Sequence, residues 1–201
     1  MSTNSSNLIP HKTLASEIMG KLNVIAQDFS TFQNSNGLSC PPDCGKCCFK
    51  ADIYSSPIEM LPMALDLFER GIAQEMYDKC LEHKSDHCLF MKISDLENGK
   101  GRCTEYQFRP LVCRTFGVAG RRDKNGEINF SVCTTLKDIK TKEFMELTSK
   151  EFKDDEVPFI DISKNRLATL SPQFLEEEFP INEALAIMLA KILFISSLES
   201  V

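Results

Sequence analysis

The stretch Cys40-Pro41-Pro42-Asp43-Cys44-Gly45-Lys46-Cys47-Cys48 constrains this chain more than any other part of it. Two prolines and a glycine among four thiols suit neither a packed helix nor a regular strand, so something external must supply the order. A metal is the natural organiser. The step from Cys44 to Cys47 lets the chain curl around one ion, and Gly45 allows close backbone approach and an amide-to-sulfur hydrogen bond. Adjacent Cys47 and Cys48 would point apart in extended backbone, which favours two sites or a larger cluster over a single ion.

Five further cysteines follow: Cys80, Cys88, Cys103, Cys113 and Cys133. What nine cysteines mean depends on the compartment. The opening run Met1–Pro10 is polar and rich in Ser and Asn, without the basic segment, apolar stretch and small-residue cleavage site of an export signal. A cytoplasmic setting is therefore expected, in which thiols stay reduced and bind metal or react rather than pair as disulfides. Excluding Cys80, the total fits two four-thiolate sites, or one cluster with accessory thiols.

The length of 201 residues suits one domain, 1–201, with 42% hydrophobic and 26% charged residues supporting a folded core. A net charge of -6 argues against general nucleic-acid binding, which rests on cationic side chains meeting phosphates. The most apolar run, Ala184–Ile195, is interrupted by Lys191 and falls short of the roughly 20 residues of a membrane span. It reads as a core helix or a homo-oligomer interface, with Leu185, Met188, Leu189 and Ile192 as its stripe.

Leu14, Ile18, Leu22, Ile25 and Phe29 recur at helical spacing and predict an amphipathic helix over 14–33, ended by Asn34–Gly37. Ser56, Pro57 and Glu59 combine a capping hydroxyl, a first-turn proline and a carboxylate, so a helix should start there and run to about Arg70. Ile72 to about His83 continues as helix. Asn98-Gly99 and Asn125-Gly126 predict two-residue hairpin turns. The second hairpin would set Cys133 opposite Val118, and a bend at Gly117 would be needed to carry Cys133 toward Cys113. Helices over 140–198 complete the chain, at Lys140–Phe152 and Ile181 to about Ser197, with Val157–Ser171 ambiguous between them.

At Cys44, Cys47, Cys48, Cys88 and the run Cys103-Thr-Glu-Tyr106-Gln-Phe-Arg109-Pro110-Leu-Val-Cys113-Arg114, the chain resembles the YkgJ-type cysteine-cluster family of the CxxCxxCC type. The resemblance spans Cys40 to about Cys133. It implies chelation of zinc or iron by Cys44, Cys47, Cys48, Cys88, Cys103 and Cys113, with Cys40 joining them. Two departures are the C-x3-C spacing from Cys40 to Cys44 and the Leu89 after Cys88, where proline is frequent. Flagellin lysine N-methylase is similar in this motif, but a shared metal-binding segment does not carry over its activity.

The expectation is a mainly α fold, or a small α+β one, whose helices pack around an irregular, metal-organised segment 40–133 with short hairpins. Its metal ligands are Cys40, Cys44, Cys47, Cys48, Cys88, Cys103, Cys113 and Cys133, holding zinc or an iron–sulfur cluster. The alternative function is an iron–sulfur-dependent enzyme, redox-active or modifying another protein, with such a protein as partner. Arg109 and Arg114 read either as cations offsetting thiolate charge or as ordinary solvated arginines. His83 and His87 read as a mixed Cys/His ligand set or a solvated pair, and Arg121, Arg122 and Lys124 as a solvated hairpin tip or a phosphate site. Cys80, beside Ile72, Met76 and Tyr77, reads as core filler.

Overall fold

The computed structural model describes residues 6–50, 53–83 and 87–198. In chain order its elements are α1 (Ile9–Ser35), β1 (Tyr54–Ser55), α2 (Leu61–Glu69), α3 (Ala73–Glu82), β2 (Met91–Asp95), β3 (Lys100–Cys103), α4 (Leu111–Thr115), β4 (Val118–Arg122), β5 (Ile128–Val132), α5 (Thr134–Ile139), α6 (Thr141–Ser149), α7 (Ile160–Ala168), β6 (Phe179–Pro180) and α8 (Ile181–Ser197). The fold is mainly α with three small antiparallel pairs, β1–β6, β2–β3 and β4–β5. Residues 1–5 of the polar opening run lie outside the described residues.

Helix α1 starts earlier than the hydrophobic period suggests, at Ile9, because Pro10 sits in its first turn where no amide bond is lost. Its buried face is Ala15, Ile18, Leu22, Ile25, Phe29 and Phe32. The helix stops where Gly37 takes a φ of 69° and Leu38 N–H returns to the Gln33 carbonyl at 2.8 Å. Against α1 pack α2 and, beyond it, α3 and α8, whose Leu61, Leu67, Met76, Leu185, Leu189 and Ile192 fill one continuous core. Each such fully buried side chain contributes roughly 1.5–3 kcal/mol. The stripe on α8 is thus spent on the core rather than on an oligomer interface.

A second apolar cluster lies at the far end of α1, where Phe32 and Leu38 meet Val118, Leu136, Leu147, Val157 and Phe159. Phe32, Phe130 and Phe152 form an aromatic trio with centroids 5.4–5.9 Å apart, seating the β4–β5 hairpin on the helix. Gly120 has no room for a side chain there, since a Cβ would stand 2.4 Å from Val157.

Two local expectations need correction, and one ambiguity is resolved. Both hairpin loops are longer than two residues: Asp95 pairs with Lys100 and Arg122 with Ile128, leaving loops 96–99 and 123–127. The cause is an acidic side chain capping each loop, Asp95 accepting from the Asn98 amide at 3.1 Å and Asp123 from the Asn125 and Glu127 amides at 2.8 and 2.9 Å. The helix expected over 140–152 is α6, which ends earlier, at Ser149, and a separate short helix, α5, precedes it across a break at Lys140. The ambiguous stretch after Val157 contains α7, ended by Leu170 N–H bonding the Leu167 carbonyl at 2.9 Å.

Candidate metal centre

The loop carrying Cys40 and Cys44 is laid along the β2–β3 hairpin. Gly45 N–H donates to the Gly99 carbonyl at 3.2 Å, Gly101 N–H to the Asp43 carbonyl at 3.0 Å, and Cys44 bridges Lys100. This contact depends on glycine at both surfaces. A Cβ on Gly101 would meet the Lys92 carbonyl at 2.7 Å, and one on Gly45 would approach the Gly101 backbone at 3.2 Å. The Gly45 amide therefore serves the hairpin, not a sulfur.

Cys47 and Cys48 stand on a single 3-10 turn, Lys46–Phe49, that follows directly. The turn replaces the extended backbone assumed from sequence, and it brings the two Sγ atoms to 3.9 Å. Cys48 then accepts from Cys88 N–H at 3.1 Å through its carbonyl, and Cys88 in turn accepts from Met91 N–H at 2.9 Å. Met91 faces Cys103 across the β2–β3 ladder. Thus one chain of backbone contacts links Cys47, Cys48, Cys88 and Cys103. Cys113 lies on α4, and Cys133 caps α5 with its own N–H bonded to the Gly117 carbonyl at 2.8 Å. Val118 pairs with Val132, so Cys133 falls one residue past the expected register. Gly117 supplies the bend, at a φ of 116°.

The thiols sense one another. Burial pushes Cys88 up to about 11, with Cys103, Cys80 and Cys47 adding to the rise. Cys113 is raised by burial and by Cys88, Cys47 and Cys103, while the Arg109 guanidinium opposes the rise. Cys47 is raised chiefly by its hydrogen bond with Cys48, then by burial, again against Arg109. Cys103 is raised by burial with Arg109 pulling the other way. Partial desolvation pushes Cys40, an exposed residue, up to about 11, with Cys44, Cys47 and Cys133 contributing. Two neighbourhoods result, joined through Cys47, which also acts on Cys40: an inner one of Cys47, Cys48, Cys88, Cys103 and Cys113, and an outer one of Cys40, Cys44 and Cys133. Cys133 faces the outer neighbourhood. All nine cysteines are free thiols.

The two arginines of the motif have different work. Arg109 lies over the Tyr106 ring with its guanidinium carbon 3.5 Å from the centroid, within electrostatic reach of Cys47, Cys103 and Cys113. Arg114, which also senses Cys113, is held by polar groups of the fold: it donates to the Arg109 carbonyl at 2.6 Å, to the Gln107 carbonyl and to Asn23 Oδ1 at 3.1 Å. It clamps the turn that presents Arg109. His83 and His87 hold each other, His83 Nε2 lying 2.8 Å from the His87 carbonyl. Arg122 pairs with Asp154 at 2.9 Å and covers the Phe159 ring.

Two residues that the sequence did not mark hold this centre from the helical side. Asn182, at the start of α8, donates to the His87 carbonyl at 3.1 Å and accepts from Leu89 N–H at 3.0 Å, bracketing Cys88. Glu59 is buried and accepts from Leu111 N–H at 2.6 Å, at the first residue of α4. Glu59 was legible only as part of a capping box. Its reach of 52 residues to Leu111 is visible in no local pattern.

Among the described residues, no three Cys, His, Asp or Glu side chains are arranged to hold an ion as they stand. The donor chemistry nevertheless fits a thiophilic metal. A tetrahedral ion with Zn–S bonds near 2.3 Å separates its sulfurs by about 3.8 Å, which is the Cys47–Cys48 spacing of 3.9 Å. A cavity of about 910 Å³, lined in part by Lys46, Cys47, Lys50 and Cys133, gives an ion an approach from solvent.

Among the described residues no helix is long and apolar enough to cross a membrane. No curated protein and no solved structure matches the chain. Residues 39–134, which contain every thiol of both neighbourhoods, match the CxxCxxCC family model, described as "Putative zinc- or iron-chelating domain". Residues 39–134 thus match the CxxCxxCC domain, of the kind also called YkgJ-type, and this match supports metal binding by that segment.

Proposed function

We propose that this chain binds zinc through thiolates, with Cys47 and Cys48 sharing one tetrahedral ion. The observation that carries the reading is their 3.9 Å separation on one 3-10 turn. A four-iron cluster held by four cysteines takes one thiolate at each iron and so sets its sulfurs farther apart. Cys113 and one of Cys88 and Cys103 supply the two remaining positions of this ion. Cys40, Cys44 and Cys133 belong to a second site, because eight thiols exceed the four positions of one tetrahedral ion.

Four thiolates on a divalent ion leave a formal double negative charge. Arg109 offsets part of it, from its place over Tyr106. A shell closed in this way holds the segment together rather than presenting an open catalytic position. The test is anaerobic purification followed by elemental analysis, an absorption spectrum and assay of acid-labile sulfide. A colourless protein with about two equivalents of zinc supports the reading. A brown protein with iron and sulfide would overturn it in favour of a cluster.

A further inference from the structure

We propose that Glu59 is a positioning residue for the metal centre, setting Cys113 through the backbone amide of Leu111. The proposal rests on Cys113 being a ligand, as read above.

Helix α4 begins after Pro110, which offers no side-chain cap, and Leu111 is buried. Its N–H therefore needs an acceptor from elsewhere in the fold, since a buried amide left unpaired is costly. Glu59 Oε2 supplies it at 2.6 Å. The other carboxylate oxygen, Oε1, accepts from the Ser56 hydroxyl at 3.2 Å and faces the Ser56 amide at 3.5 Å. One carboxylate thus ties the turn leading into α2 to the first residue of α4. Cys113 is two residues beyond that tie, and Cys113 N–H closes the same turn on the Pro110 carbonyl at 3.1 Å. Within α4 the Thr115 hydroxyl bonds back to the Leu111 carbonyl at 3.0 Å. Releasing Leu111 removes the tie at the start of α4, two residues from its only thiol, which acts on Cys88, Cys47 and Cys103, and leaves the helix held at Arg114.

A purely structural Glu59 would stabilise the start of α2 and leave the metal alone. The experiment separates the two roles in the full-length protein, loaded anaerobically with zinc. Zinc affinity is read by competition with a chromophoric chelator, and amide exchange is followed at Leu111 and over Leu61–Glu69. Glu59→Asp withdraws the carboxylate by one methylene, and Glu59→Gln keeps an oxygen for Leu111 while its amide can donate to Ser56 Oγ. The expected result is that Glu59→Asp weakens zinc binding by roughly tenfold or more and loses protection at Leu111, whereas Glu59→Gln restores most of both. Unchanged affinity in Glu59→Asp, with protection lost only over Leu61–Glu69, would overturn the proposal. Cys113→Ser is the control. If that variant keeps full zinc affinity, the ligand reading has failed, whatever the Glu59 variants do.

Discussion

Cys47 Sγ and Cys48 Sγ lie 3.9 Å apart because both residues ride one 3-10 turn rather than an extended segment. A shared ion makes each of them indispensable to the same site. Cys47→Ser and Cys48→Ser should each lower bound zinc by about one equivalent, while the double variant should lose no more than either single one. Elemental analysis of the three variants checks this. Independent, additive losses would show that the two thiols serve different ions.

Cys80 should behave differently. It lies on α3, is buried in the main core, and has burial as the sole cause of a thiol pushed up to about 11. Replacing it with alanine should leave zinc content unchanged and cost only about 1 kcal/mol of lost packing. Loss of a full equivalent from a folded Cys80→Ala protein would force a different ligand count, and its nearness to Cys88 makes the measurement worth performing.

Metal-free protein should lose stability as pH rises from about 9 to about 11. Cys40, Cys80 and Cys88 are each raised from 9.0 to about 11 in the fold. A folded-state value above the unfolded one means the fold holds its protons more tightly, so this contribution is complete below 9 and fades as pH climbs to 11. Zinc loading reverses the trend over lower pH, because binding releases thiol protons and grows tighter as they become scarcer. Thermal midpoints of both forms between pH 6 and 10.5, roughly spanning these titrations, would show the two slopes. A metal-free midpoint that climbs through this range would contradict the assignment.

Chelation should open the cysteine loop and the hairpins of the Cys40–Cys133 segment before the helical core, to which that segment's α2 and α3 belong. That segment's hairpins and short turns must offset an ordering cost of roughly 1–2 kcal/mol per residue, whereas α1, α2, α3 and α8 share a continuous apolar core. Limited proteolysis with and without chelator should therefore place new cleavages in the cysteine loop and the hairpins. Equal resistance in both conditions would mean that the bundle, through Glu59 and Asn182, already holds the segment without metal.

Sequence alone determined the elements whose information is local. The period of Ile18, Leu22, Ile25 and Phe29 marks α1 because one helical face must meet the core, and Ile181 to Ser197 was legible as α8 for the same reason. The Cys40–Cys48 loop announced itself by prolines and glycine that exclude regular structure. Tertiary structure decided what local chemistry leaves degenerate. A Cys-Cys pair can point apart or together, and the 3-10 turn chose; Arg109 and Arg114 carry the same charge, and only position separates the cation facing thiols from the one clamping carbonyls. Glu59 and Asn182 stand far along the chain from the backbone groups they hold. Their roles arise because buried amides must find acceptors wherever the fold brings one within reach.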